Sequence, residues 1–309
     1  MPKVSIVLPV YNGEEFLSKS IESVINQTFK DWELIIVNDC STDNSLAIAK
    51  SYAQQDGRIK IINNETNKKL PASLNAGFAS ASGEYYTWTS DDNEYYPEAI
   101  EKMVDFLDNN NNYGMVHAIC KVAGCVEEHF WGDIATTPIS LLDFPSVGAC
   151  FLYKSSVAKV VGEYDTNSFY MEDHDFWLRF LLEAPIGMIN DVLYFYRRHE
   201  ASLTVKSNDK AARLRILLKL KYLPLYKEKF PKYKDMMIKL YGLEECIYKE
   251  DDLKYQTMKK NYKKNFLYSK LKRIYKVTKS NWQLKQIKSL GFIYFLKALK
   301  LKYRYGVEK

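Results

Sequence analysis

The stretch Tyr85-Tyr86-Thr87-Trp88-Thr89-Ser90-Asp91-Asp92-Asn93 decides how the chain is read. Aromatic and β-branched residues favour a strand, and Ser, Asp and Asn end one. Asp91 and Asp92 are therefore expected just past the C-terminal end of a strand. In an open α/β sheet, ligands bind at that edge. Two adjacent carboxylates there suit a hard divalent cation with oxygen ligands, and such a cation suits a diphosphate. Taken alone, the stretch also reads as a polar turn in which Asp92 or Asn93 caps a helix opened by Pro97. The rest of the chain has to choose between these readings.

Upstream, residues 3–10 read as a buried strand, and 14–27 place Phe16, Leu17, Ile21, Val24 and Ile25 at helical spacing. A second strand, 32–38, runs into Asp39-Cys40-Ser41-Thr42-Asp43, a turn of helix-capping residues in which Ser41 is the better cap. Helix 46–53, strand 58–63 and the small-residue helix 71–82 follow. Downstream, the expectation is helix 97–109, strand 115–120, a loop or small insertion over 124–146, strand 147–153, helix 173–183 and strand 192–196. Strand and helix alternate every 25–30 residues or so, which is the pattern of a parallel sheet with crossover helices. No Gly-x-Gly-x-x-Gly follows the first strand, which argues against a dinucleotide-binding dehydrogenase.

At 309 residues and 47% hydrophobic content, the chain can build one large core, or one core with an appendage. It has no apolar run long enough to span a membrane, and its N-terminal residues do not read as a secretory leader. Five cysteines without metal spacing fit a reducing cytoplasm. The net charge of +6 hides a split, since residues 1–200 carry −14 and residues 201–309 carry +20. On that basis two regions are expected, 1–205 and a basic, helical 206–309.

Three acidic positions are expected at strand ends of one sheet: Asp39, Asp91-Asp92 and Glu172-Asp173. Together with Val4-Ser5-Ile6-Val7-Leu8-Pro9-Val10-Tyr11-Asn12, Ser23-Val24-Ile25-Asn26-Gln27-Thr28, Glu33-Leu34-Ile35-Ile36-Val37-Asn38-Asp39-Cys40-Ser41-Thr42-Asp43, Asn75-Ala76-Gly77, Gly83-Glu84-Tyr85 and Trp177-Leu178-Arg179, this order of motifs resembles the family 2 glycosyltransferases of the GT-A fold. The resemblance covers roughly residues 3–205. It implies an α/β fold with a mostly parallel, Rossmann-like sheet between helices. It also implies an inverting enzyme that takes a sugar from a nucleotide-diphosphate donor, UDP favoured. Pro9, Tyr11, Asn12, Asp39, Lys69 and Asp91 would then line the donor nucleotide. Asp91 and Asp92 would hold Mg²⁺ or Mn²⁺, with His199 of Tyr196-Arg197-Arg198-His199 a further candidate. Asp173 would be the catalytic base, with Glu172, Trp131 and Tyr170 on the acceptor side. The family often has an acid where Thr89 stands, so the cation would lean more on Asp91, Asp92 and phosphate oxygens.

The chemistry of these residue types agrees. A cation stabilises a departing diphosphate, and a carboxylate can take the proton of an attacking hydroxyl. The plainer reading of each residue stands beside the functional one. Asp39 could cap a helix, Glu172, Asp173 and Asp175 could be first-turn acids favoured by the helix dipole, and His199 is a lone histidine. Trp177 lies on an apolar helix face. The rival function is a nucleotide-sugar-binding or scaffold protein without transfer activity. The acceptor is expected to be a glycan or lipid-linked molecule of surface polysaccharide assembly, met in the cytoplasm. The basic region has three uses open to it: packing on the core, attachment to an anionic membrane surface through a stretch such as 291–305, and nucleic acid. The last ranks lowest because no recognition motif is present and residues 1–200 are acidic.

Overall fold

The structure is a computed structural model, and it describes residues 1–200, 202–203, 208–238 and 240–241. A compact unit spans Met1–Met237. A second, 238–309, lies almost wholly outside the described residues.

The unit is built on one nine-stranded sheet. Its parallel half has the order β3 (Ile59–Asn63), β2 (Trp32–Asn38), β1 (Val4–Val10), β4 (Tyr85–Trp88). All seven residues of β1 and of β2 are buried, as strands covered on both faces must be. Helices α1 (Leu17–Ile25), α2 (Ser45–Gln55) and α3 (Leu70–Ala79) make the crossovers. Leu17, Ile21 and Val24 of α1 are buried, at about 2 kcal/mol per side chain removed from water. Gly77 lets α3 lie flush on the sheet, because a Cβ there would come 2.4 Å from Val7 Cγ1.

The mostly parallel sheet is as expected, and beyond β4 antiparallel pairings enter it. β8 (Cys150–Lys154) inserts antiparallel between β4 and β6 (Met115–Gly124), and β9 (Ile186–Arg198) runs parallel to β6. The two-residue β5 (Glu94–Tyr95) pairs antiparallel with β9, ahead of α4 (Ala99–Asn109). The segment read as a loop over 124–146 contains β7 (His129–Trp131), paired to β6, and α5 (Pro138–Asp143). Three- and six-residue elements are too short to show a period. α5 is nonetheless well specified, with Pro138 in its first turn and a capping box between Thr137 and Ser140. After β8 come α6 (Ser155–Val161), a 3₁₀ turn (Thr166–Ser168) and α7 (Glu172–Glu183).

The chain does not leave the core at 205, where its composition changes. Helix α8 (Asn208–Lys229) packs against α5 and α7 and buries Leu218, Leu220, Tyr222, Leu223 and Tyr226. Among the described residues no helix is long and apolar enough to cross a membrane.

Candidate active site

β1, β2 and β4 are parallel neighbours, so their C-terminal ends open on one edge. The turns leaving them interlock. The Asn12 N–H donates to Ser41 Oγ at 3.1 Å, and Thr42 N–H donates back to Asn12 Oδ1 at 2.8 Å. Gly13 N–H meets Ser45 Oγ at 2.9 Å, and Glu14 N–H meets Asp43 Oδ2 at 3.1 Å. The capping residues of the 39–43 turn therefore mainly brace the first loop. Ser41 is not the cap of α2, whose N-cap is Asn44. Pro9 is buried at the end of β1, while Tyr11 stands half-exposed on this edge.

Asp91 lies beneath the 11–13 loop and accepts the Tyr11 N–H. Gly13 leaves room for it, because a Cβ there would fall 2.2 Å from Asp91 Oδ2 and would push the carboxylate aside. Burial, then the charge of Asp92, pushes the Asp91 carboxyl up to about 7. Such a carboxylate pair is relieved by positive charge. Among the described residues no three His, Cys, Asp or Glu side chains converge as a ready metal cage. Two carboxylates completed by phosphate oxygens and water nevertheless fit Mg²⁺ or Mn²⁺, which rarely uses an all-protein site. Thr89, where an acid would extend the pair, is fully buried and shares a 2.6 Å hydrogen bond with Tyr194 OH.

Asp92 is held from several sides. Ser90 Oγ donates to its Oδ1 at 2.6 Å and His199 Nε2 donates to its Oδ2 at 3.1 Å. Arg197 Nε donates to its carbonyl at 3.1 Å. Arg197 also pairs with Glu94, lies 4.6 Å from the Phe16 ring, and gives its N–H to Asn93 Oδ1 at 2.8 Å. Neither Asp92 nor Asn93 caps a helix; both serve this latch between the β4 turn and the end of β9. The structure thus brings the 196–199 segment to the carboxylates. Trp131 packs edge-on against Tyr196, with centroids 5.4 Å apart, and donates to the Pro145 carbonyl.

Asp39 is buried and accepts three N–H donors. Asn64 Nδ2 and Lys68 N–H reach Oδ1, both at 2.8 Å, and Lys69 N–H reaches Oδ2 at 2.9 Å. It caps no helix; it clamps the loop that carries Lys69. Lys69 itself adopts φ 73°, ψ 164°, a region normally left to glycine. Asn64 carries no sequence signal of this role, since one Asn in a polar run looks like any turn residue.

Glu172 and Asp173 open α7. Glu172 is buried and accepts the Tyr170 N–H at 2.8 Å, and Tyr170, at φ 84°, stacks on Phe169 with centroids 4.1 Å apart. Asp173 Oδ1 accepts the His174 N–H at 2.6 Å. Burial raises both carboxyls well above their ordinary range, and the charge of Asp173 adds to the effect on Glu172. Asp173 lies within electrostatic reach of Tyr164, whose backbone exchanges two 2.9 Å hydrogen bonds with the Asn75 side chain of α3. Trp177 is wholly buried, as its helix face implied.

The sequence model of the family described as Glycosyl transferase family 2 matches residues 5–159. The chain belongs to that family. EpsE of Bacillus subtilis, which carries a glycosyltransferase designation, is 35% identical over 203 residues, 63% of this chain and 73% of that one. RP339 of Rickettsia prowazekii, an uncharacterized glycosyltransferase by name, is 32% identical over 66% of each chain. Among solved structures, Staphylococcus aureus TarS 1–349 in complex with UDP-GlcNAc superposes with a TM-score of 0.64 at 18% identity, covering 84% of this chain and 91% of that one. The mannosyltransferase PcManGT of Pyrobaculum calidifontis, in complex with GDP-Man and Mn²⁺, gives 0.60 at 13% identity over 99% and 88%. The fold is GT-A, and the protein is a glycosyltransferase.

Proposed function

We propose that the protein transfers a hexosyl or N-acetylhexosaminyl group, with inversion, from a UDP-sugar to a glycan or lipid-linked acceptor in surface polysaccharide assembly. The observation that carries this reading is the Asp91–Asp92 pair, set beneath the first loop at the same sheet edge as Asp39. The donors bound by TarS and PcManGT support a nucleotide sugar as the ligand of that edge.

Hydrogen-bond capacity at Asp39 supports the base. A carboxylate offers about four lone-pair sites. The amide of Asn64 and the backbone of Lys68 and Lys69 take three of them, leaving one on Oδ2. Uracil presents a single ring N–H, which one site satisfies. Guanine presents a ring N–H beside an amino group and asks for two. Pro9, Tyr11 and Asn12 would line the same pocket, and the Lys69 ammonium would meet the phosphates. Asp91 and Asp92 would hold Mg²⁺ or Mn²⁺, which when bound offsets the charge of the departing diphosphate. His199, hydrogen-bonded to Asp92, would steady that carboxylate as much as it would ligate.

Asp173 would accept the proton of the acceptor hydroxyl as that oxygen attacks the anomeric carbon. A carboxyl raised by burial is the better base near neutral pH. Glu172, which holds the Tyr170 backbone, and the aromatic rings of Tyr170 and Trp131 would form the acceptor side.

A thermal-shift panel of UDP-, GDP-, TDP- and CMP-sugars, with and without Mn²⁺, tests the donor and the metal together. UDP should shift the transition most, and more with Mn²⁺. Asp91→Ala should remove the Mn²⁺-dependent part while leaving the fold intact. A GDP shift exceeding that of UDP would overturn the base assignment, and undiminished Mn²⁺-dependent binding in Asp91→Ala the metal assignment.

A further inference from the structure

The acids at the head of α7 are held from behind by the basic region. Asp175, two residues after Asp173, is fully buried and has both oxygens engaged. Arg179 Nε donates to its Oδ2 at 2.9 Å, one turn along the same helix. Tyr222 OH of α8 donates to its Oδ1 at 2.7 Å, and Lys221 Nζ reaches the same oxygen at 3.3 Å. The Arg179 guanidinium continues to the carbonyls of Val161 at 2.7 Å and Glu163 at 2.9 Å, fixing the segment that leads to Tyr164. On the other flank, His174 Nε2 donates to the Leu141 carbonyl of α5 at 2.6 Å, and Lys219 of α8 pairs with Asp143 at 3.0 Å. The first turn of α7 is therefore wedged between α5 and α8, and a buried charged group is the anchor. Losing a partner of a buried carboxylate costs more than losing an exposed one, so this anchor has one favoured position.

We infer that Asp175 and Tyr222 are positioning residues, through which α8 sets the orientation of the α7 acids toward the acceptor hydroxyl. The inference rests on the reading of Asp173 as base. It gives residues 208–229 of the basic region a part in turnover, apart from any membrane role of the residues that follow. Donor binding draws on the β1, β2 and β4 turns, whereas the main contacts of α8 among the described residues are with α5 and α7. A loosened anchor should therefore appear in kcat and not in donor affinity. Proton transfer is sensitive to such displacement, since misplacement by about 1 Å can cost about 100-fold.

The test is Tyr222→Phe in the full-length chain, which removes the hydroxyl and keeps the ring. It should lower kcat about tenfold, with donor KM and UDP affinity within about twofold of wild type. Asp175→Asn, which keeps the shape of the side chain, should give the same kcat-only loss and serves if Tyr222→Phe does not fold. Tyr226→Phe is the control. Its hydroxyl donates to the Leu178 carbonyl at 2.9 Å, farther along α7, so it should lower the Tm without a change in kcat. A kcat within twofold of wild type in Tyr222→Phe, or equal kcat losses in Tyr222→Phe and Tyr226→Phe, would overturn the inference. Failure of the base assignment is read separately. If Asp173→Asn stays active, that assignment falls first; if it is inactive while Tyr222→Phe is normal, only the positioning role falls.

Discussion

At Lys69 a stability prediction and a binding prediction meet. Its backbone sits where a side chain costs about 1–3 kcal/mol, and the Asp39 carboxylate holds it there. Lys69→Gly should relieve that strain, less the added entropy of glycine in the unfolded chain, for a net gain near 1 kcal/mol and a Tm rise of about 2 °C. The same variant should bind UDP about tenfold more weakly, the worth of one charge-assisted hydrogen bond. Lys69→Ala keeps the strain and loses the charge, so it should weaken binding with no gain in Tm. Unchanged UDP affinity in both variants would leave Lys69 as a turn residue only. Asp173 makes a separate prediction: Asp173→Asn should bind donor nearly normally and lose turnover by on the order of 10²–10⁴-fold. Turnover in the wild type should fall on the acid side at a pH above the ordinary carboxylate range, because burial raises this carboxyl and the base must be ionised. Asp39 and Asp91 were readable in the sequence because strand-ending Asp residues are abrupt against an apolar run, whereas Asp173, in the first turn of α7, was picked out by its match to the family motif. The clamp around Asp39 was not, because hydrogen bonds over 25–30 positions leave no local pattern.

At the scale of elements, β1, β2, β3 and the turn after α3 are tied together by one buried acid. Glu33 accepts from Ser5 Oγ at 2.7 Å, Lys60 Nζ at 2.7 Å and the Ser82 N–H at 2.8 Å. Burial opposes its ionisation, but the hydrogen bonds from Lys60, Ser5 and Ser82 outweigh burial and bring its carboxyl down to about 2. A carboxyl lower in the folded state than the unfolded adds stability above the unfolded value, near 4.5. That contribution drains as pH falls toward 2. The half-exposed Lys60 is partly screened by solvent, so the full contribution is on the order of 1–2 kcal/mol. Urea unfolding at pH 7, 4 and 3 should show wild type losing stability more steeply than Glu33→Gln, with the variant already weaker at pH 7. Parallel pH profiles would show that Glu33 is not the sensitive group. Long periodic elements such as β1, β2 and α4 could be read from sequence, since their apolar spacing is imposed by burial. β7 and α5 could not, and β9 was read short. Its first half carries Gly187, Asn190 and Asp191, and its register against β6 is broken by irregularities at Ala118–Cys120.

At the scale of the molecule, charge is split, with −14 on residues 1–200 and +20 on residues 201–309. Part of that basic region is core: α8 places Lys219 and Lys221 against Asp143 and Asp175. The stretch 291–305, rich in Phe, Tyr and Lys, lies outside the described residues. An anionic membrane attracts about 1 kcal/mol per basic residue that reaches its surface. Salt weakens that attraction, since exposed charges are screened beyond about 10 Å at 0.1 M. Phe292, Tyr294, Phe295, Tyr303 and Tyr305 would add an apolar part that salt touches less. The protein should therefore float with anionic vesicles at low salt, float less but still measurably at high salt, and lose most of this on deletion of residues 290–309. That deletion leaves α8 and its hold on α7 in place, so donor hydrolysis in solution should be unchanged. A lipid-linked acceptor would then be met at the surface where it resides. Absence of vesicle binding at low salt would end this account. Aggregation or lost hydrolysis in the deletion variant would show that these residues complete the fold and do not serve as an anchor.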